Sequence, residues 1–299
     1  MFKIRTRTSL IALAAIAGLS LTSCSAAAPE TPAETPEATT AVNAELAAMV
    51  PDEIRESGVV RLAMNPSYPP FETTKADGSV VGLDPDLASA IGELLDLKIE
   101  IVPMSFDAII PALEADKVDV AMSSIGDNKK REEVIDFATY YWNGTLVLVK
   151  KGNPLGITPT LACGARIGVV RGSLQQNTFL PAQTPSCEAK GEVPPEPNAF
   201  NDVAQAILAL QSDRIDGVLA DASPVKDAEA KTDDFEAAGP LMRNPNPGGA
   251  AFPKGSGLVE PWNAAINLLI ENGVYAELLK KWEMDYVAIE ESEINGAQE

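Results

Sequence analysis

Two polar side chains, Ser124 and Asp221, end two copies of one sequence phrase, and that placement is the first pointer to chemistry. The first copy runs from Ile109 to Ser124 and the second from Ala206 to Asp221, 97 residues apart. Each reads as the end of an apolar helix, a turn of acidic and basic residues (Asp116-Lys117-Val118-Asp119 and Asp213-Arg214-Ile215-Asp216), then a short buried strand. Copies so far apart signal two similar lobes rather than a solenoid, whose repeats are much shorter. In open α/β sheets ligands bind just beyond the carboxyl ends of strands. The pattern therefore predicts a cleft with Ser124 on one side and Asp221 on the other. Arg131 ends the basic run Lys129-Lys130-Arg131, which by itself reads as a solvated patch. Glu72 and Asp221 are the acid–base candidates should the cleft be catalytic.

The composition removes other chemistries. The chain of 299 residues has no His and three Cys, so His-based triads are excluded and a zinc site lacks its usual donors. No metal and no cofactor are expected. A formal charge of −20 argues against nonspecific nucleic-acid binding, which needs Lys and Arg against phosphate.

The elements that must position these residues alternate strand and helix, as in a parallel α/β fold. Val59 to Met64 is a strand that exits into Tyr68-Pro69-Pro70-Phe71, where two prolines forbid regular structure. Asp84-Pro85 opens a helix, with Asp84 as its cap and an apolar stripe at Leu87, Ile91, Leu94 and Leu95. Lys98 to Val102 is the next strand, and Ser105 or Asp107 caps the helix ending near Leu113. The scheme repeats from Ala165 to Val170, followed by the loop Arg171-Gly172-Ser173, a helix, a Pro-rich loop from Pro181 to Pro197 and a helix from Asp202. Pro261 to Glu283 is helical and returns to the first lobe. The expected fold is α/β with two lobes: residues 46–142 plus 249–299, and residues 143–248. Two crossing strands near 142 and 248 would form a hinge.

The N-terminus carries Lys3, Arg5 and Arg7 ahead of a short apolar stretch that ends Leu21-Thr22-Ser23-Cys24. The stretch is too short to span a bilayer comfortably and has the length of a signal-peptide core. Its end resembles a bacterial lipobox, which makes residues 1–23 a signal peptide and Cys24 the lipidated residue. Cleavage removes three cations and leaves a charge of −23. Residues 24–45, rich in Ala, Pro, Thr and Glu, read as a tether. Cys163 and Cys187 remain, and an oxidising compartment favours their pairing, with two buried thiols as the alternative.

Several segments together resemble solute-binding protein family 3, the polar amino-acid receptors of ABC importers. They are Tyr68-Pro69-Pro70-Phe71-Glu72, Gly82-Leu83-Asp84-Pro85-Asp86-Leu87, Ile110-Pro111-Ala112-Leu113, Met122-Ser123-Ser124, Arg131, Asp136-Phe137, Asn272-Gly273-Val274-Tyr275 and Lys281-Trp282. The resemblance covers roughly residues 55 to 285. It implies a type II periplasmic-binding-protein-like fold with a discontinuous first lobe, closing on an amino acid. Arg131 matches the family's carboxylate-binding arginine and Asp221 its acceptor for the α-amino group. Ser124 and its neighbour Ser123 match ligand contacts, Tyr68 and Phe106 match two aromatics flanking the ligand side chain, and Gly172-Ser173 matches a Gly-Thr pair at a helix start. Glu72 belongs to the motif in either a structural or a ligand-facing role.

The sequence departs from the family at three positions. Gly126 and Leu174 stand where hydroxyl residues often touch the carboxylate, and Asn65 stands where receptors for basic amino acids carry an Asp. A buried cation wants a paired charge, so Asn65 argues for an uncharged ligand side chain. The expected partners are a small ligand, an ABC permease with its ATPase, and the membrane through the lipid, with the protein acting as a monomer. The alternatives are an enzyme on the same fold, resembling a cyclohexadienyl dehydratase, and a ligand-presenting sensory protein.

Overall fold

A computed structural model describes residues 41–298. The signal peptide and the lipidated Cys24 expected from the sequence lie outside the described residues. Asn43 caps helix α1 (Ala44–Met49) through its side chain, so the chain is ordered two residues before the expected end of the tether.

The first lobe continues through α2 (Asp52–Ser57), β1 (Val59–Met64), β2 (Ser67–Tyr68), β3 (Glu72–Thr74), β4 (Val80–Val81), α3 (Leu83–Leu95), β5 (Lys98–Pro103), α4 (Phe106–Glu114), β6 (Val120–Ala121), α5 (Lys129–Glu132) and β7 (Ile135–Tyr141). The second lobe holds β8 (Gly144–Lys150), β9 (Arg166–Val170), α6 (Thr184–Ala189), β10 (Glu196–Phe200), α7 (Val203–Gln211), β11 (Gly217–Asp221), α8 (Ala222–Ala230) and β12 (Phe235–Arg243). The chain then returns with β13 (Gly248–Pro253), α9 (Val259–Glu271) and α10 (Val274–Lys281).

Each lobe is built on one five-stranded sheet, ordered β5-β1-β6-β13-β7 in the first and β10-β9-β11-β8-β12 in the second. β1 lies parallel to β5 and β6, and β9 parallel to β10 and β11. The strands at the crossings, β7, β8, β12 and β13, pair antiparallel. Residues 142–143 and 244–247 are the two connections between the sheets. At the second connection a Cβ on Gly248 would fall 2.0 Å from the Tyr141 ring, so only glycine fits there.

Helices pack on both faces of the first sheet, and α7 and α8 pack on one face of the second. The largest cluster packs α3, α9 and α10 on the first sheet around Trp262, Tyr140, Phe252 and Leu62. The apolar stripe of α3 faces this cluster through Leu87, Ile91, Leu94 and Leu95, the positions its periodicity marked.

The repeated phrase is repeated structure. Asp116 and Asp213, at equivalent turn positions, both adopt left-handed backbone with φ of 51° and 59°. The second Asp of each copy then clasps an arginine on the neighbouring strand. Asp119 accepts from the backbone N and guanidinium of Arg61, and Asp216 accepts from the same groups of Arg166. This explains why the turn keeps its acids: each ties a helix–strand turn to the start of a parallel partner strand.

Three local expectations are corrected. Asp84 does not cap α3, whose N-cap position is Gly82; Asp84 is sealed inside and accepts from Tyr140 and the backbone of Ser124. The Pro-rich stretch after Pro181 is helical rather than loop as far as Ala189, because Pro181 and Pro185 fall in first turns, where a missing N–H costs nothing. The helical stretch from Pro261 breaks at Gly273, whose φ of 86° starts a second helix.

Candidate functional site

A cavity, partly open to solvent, lies between the two sheets. Both strand ends singled out by the repeat reach it: Ser124 Oγ donates to Asp221 Oδ2 at 3.2 Å. Ser124 sits at φ 48°, held there by its N–H on Asp84. Asp221 occupies the first position before α8, yet its side chain makes no cap bond. It turns instead into the cavity, where Gln175 and Asn244 donate to Oδ1 at 2.9 and 3.4 Å.

Arg131 enters from the opposite lobe on the short helix α5, whose N-cap Asn128 accepts from the Arg131 backbone. Its Nη1 donates to Gly126 O at 2.5 Å and its Nη2 to Gly172 O at 3.0 Å, across the cleft. Five N–H groups are available on a guanidinium, so three remain for a ligand. The face of Phe106 lies 5.9 Å from its Cζ. Burial holds the guanidinium down to about 10, so it stays charged at neutral pH. Burial pushes Asp221 up, and the hydrogen bonds from Asn244, Tyr68, Gln175 and Ser124 oppose it.

Of the sequence-predicted site residues, Asn65, Tyr68, Phe106, Ser123, Ser124, Arg131, Ser173 and Asp221 line the cavity. Gly172 reaches the site through its carbonyl on Arg131. Tyr68 accepts from the Asp221 N–H at 3.1 Å, and Asn65 donates to Asn201 O at 3.3 Å, two further bonds between the lobes. Ser123 is committed internally: it accepts from Asn65 N and donates to Glu72.

Glu72 is fully buried, and burial followed by the charge of Asp84 raises its pKa well above the usual carboxylate range. Asp84 is itself raised to about 6 by burial. The two share a proton, with Glu72 as the neutral acid beside ionised Asp84, because two adjacent buried carboxylates cannot both stay charged. Glu72 thus links Ser123 to Asp84, Tyr140 and Ser124, and it orders the floor of the site.

Gln175, Asn244, Thr145 and Tyr141 complete the site and were missed in the sequence. Gln175 donates to Thr145 as well as to Asp221, and the Tyr141 hydroxyl lies 3.3 Å from Ser124 Oγ, to which it can donate because the Ser124 proton is on Asp221. Their signal was weak, since an amide in a helix or crossing and an aromatic in a strand have no special spacing. The Gly126 and Leu174 departures prove to be one feature. A Cβ on Gly126 would lie 2.6 Å from Leu174 Cδ1, so Leu174 fills the volume a side chain at 126 would need.

Cys163 and Cys187 form a disulfide, with Cα atoms 5.6 Å apart. Among the described residues no group of three or more acidic, Cys or His residues is placed to hold a metal ion. No helix among them is long and apolar enough to cross a membrane.

This two-lobed α/β fold with a charged cleft is that of substrate-binding proteins, and the sequence agrees. Residues 60–285 match the bacterial extracellular solute-binding proteins, family 3, and the chain belongs to that family. An arginine-binding protein of Corynebacterium glutamicum is 30% identical over 253 residues, covering 84% of this chain and 83% of the relative. An L-arginine-binding protein of Pseudomonas aeruginosa is 31% identical, covering 75% and 87%. Among solved structures, an ancestral arginine-binding protein bound to glutamine superposes with a TM-score of 0.66 at 29% identity, covering 76% of this chain and 98% of that one. An ancestral amino-acid-binding protein described as a precursor of cyclohexadienyl dehydratase gives 0.66 at 29% identity, covering 77% and 98%.

Proposed function

We propose that the protein is an extracytoplasmic receptor that captures an L-α-amino acid with a polar side chain between its lobes and delivers it to an ABC permease and its ATPase. One observation carries the reading: Arg131 and Asp221, of opposite charge and both buried, face one cavity from opposite lobes. Their spacing of roles suits a zwitterion. Arg131 takes the carboxylate with N–H groups left over from its carbonyl partners, and Asp221 accepts from the ammonium together with the Ser124 hydroxyl. Asn65, Tyr68, Phe106 and Ser173 form the remaining side-chain contacts, with the Phe106 and Tyr68 rings flanking the ligand side chain, while Ser123 supports the site through Asn65 and Glu72 and Gly172 through Arg131. Relatives that bind arginine or glutamine support a polar amino acid, and Asn65 in place of an acid favours the neutral amide over the cation. The lobes close around the ligand by rotation about residues 142–143 and 244–247. Cys24 carries the lipid that holds the receptor at the outer face of the cell membrane, and the protein acts as a monomer.

The test is thermal unfolding of residues 41–299 against each L-amino acid. A ligand at 100-fold over its Kd stabilises by about 2.7 kcal/mol. The expected result is a shift with one or a few polar amino acids, lost in Arg131→Ala and Asp221→Ala. The bound compound should be recovered unchanged, which separates a receptor from an enzyme. A flat response across the panel would refute the amino-acid reading. For the anchor, Cys24→Ser in the full chain should release the protein from the membrane fraction; retention would refute lipidation at that residue.

A further inference from the structure

The family-matched span ends at residue 285, but the chain continues as an ordered strap to residue 298. Its route touches the neighbours of both charged site residues. At its start, Tyr286 OH donates to Ser223 Oγ in the second lobe at 2.8 Å, and Lys226 Nζ sits 4.8 Å over the Tyr286 ring. Ser223 follows Asp221 by two residues on the same turn and is buried. Next, Val287 O accepts from Trp142 N at the first connection between the lobes. Residues 292–295 then run beside β7: Ser292, Glu293 and Asn295 exchange hydrogen bonds with Thr139 and Phe137. At its end, Ala297 N donates to both Asp127 and Glu132, each at 3.1 Å, and Gln298 N donates to Asn246 Oδ1 in the second connection at 2.9 Å. Asp127 and Glu132 bracket Arg131 in sequence.

We propose that residues 285–298 are a positioning strap for the binding site: Tyr286 and Ala297 hold the segments bearing Asp221 and Arg131 in the arrangement in which the lobes meet. The strap belongs to the first lobe through β7, touches the two connections through Val287 and Gln298, and reaches α8 of the second lobe through Tyr286. The Tyr286–Ser223 bond therefore forms when the lobes are together and breaks when they part, so it favours the closed arrangement and slows ligand release. This rests on the proposed closure but not on the identity of the ligand. A differential contact of this kind is what allows a remote residue to shift a two-state equilibrium.

The experiment uses Tyr286→Phe, Ser223→Ala and the double variant. Tyr286 is 48% exposed, so losing its hydroxyl leaves the core intact. The first readout needs no ligand. The Asp221 amide donates to Tyr68 across the cleft, so its hydrogen exchange reports lobe opening directly. Loss of one hydrogen bond should speed that exchange about three- to tenfold, with the core amide of Leu62 unchanged. The Kd of the tightest amino acid in the panel should rise by the same factor through faster dissociation. The double variant should match Ser223→Ala, which loses the Tyr286 bond together with a 3.4 Å bond from Asn143 Nδ2. Unchanged exchange at Asp221, equal acceleration at Leu62, or additive effects would overturn the proposal. If no amino acid binds, the exchange result decides alone, so failure of the strap and failure of the receptor reading remain distinct.

Discussion

Replacing Gly126 by Ala adds one methyl group at the meeting point of the two lobes. The new Cβ would sit 2.6 Å from Leu174 Cδ1 and 4.0 Å from Arg131 Nη1. Carbon atoms pack at about 3.5–4.0 Å, so roughly 1 Å of overlap must be relieved. Leu174 belongs to the second lobe and Gly126 to the first, so the overlap exists only when the lobes are together. Overpacking costs about 1–3 kcal/mol, and because Leu174 Cδ1 is the end of a half-buried flexible side chain the lower end applies, about 1 kcal/mol or roughly a fivefold loss of affinity. The cost falls on closure and not on folding. Titration calorimetry with the ligand should show the weakening, while the melting temperature without ligand stays within a degree or two of the parent. Leu174→Ala removes the colliding carbon and should restore most of the loss, so the two substitutions are strongly coupled. Gly126→Ala with unchanged affinity, or with a fall in melting temperature that accounts for the loss, would refute the reasoning.

Stability should rise as pH falls from 8 to about 5.5. Burial holds Asp127 up at about 7 and Asp84 at about 6, against an ordinary 3.8, so the folded state binds protons more tightly and their stabilising contribution fades as pH climbs through those values. Over this window Asp127 alone accounts for a swing of about 2 kcal/mol; thermal melts across this range should show it, and a melting temperature that Asp127→Asn fails to flatten would count against the assignment. Glu72→Gln keeps the shape and donates to Asp84, so ligand affinity should change less than about threefold; a tenfold loss would mean that Glu72 touches the ligand directly. Reducing the Cys163–Cys187 disulfide, or replacing both residues by Ser, should lower unfolding free energy by about 3 kcal/mol in denaturant titrations, with affinity unaltered because the bridge lies outside the cavity lining.

The alternating pattern and the repeat made the two-lobed α/β architecture readable, since strand, helix and turn signals are local. Ser124 and Asp221 were legible because a repeat places equivalent strand ends in register, and their side chains meet at 3.2 Å. The apolar stripe of α3 was legible for the same reason, as a period of 3.6 is printed in the sequence. Asp84 was misread because Asp-Pro before a helix carries the local signature of a cap. Only packing reveals that Gly82 takes that place and that Asp84 is drawn inward by Tyr140 and Ser124. Gln175 and Asn244 were not legible at all, because nothing in their neighbours in sequence says that a carboxylate 46 or 23 residues away will need a donor.

By itself, then, the sequence determined the class of fold, the two strand ends that face the cleft and the chemical types available there. Those properties follow from short-range periodicity and from residue identity. The tertiary structure decided which of the candidates share one cavity, that Gly126 and Leu174 occupy one volume, that Glu72 and Asp84 hold one proton, and that the last residues of the chain strap both connections between the lobes. Each of those depends on distances between residues far apart in the chain, which are set only when both sheets and their helices have packed.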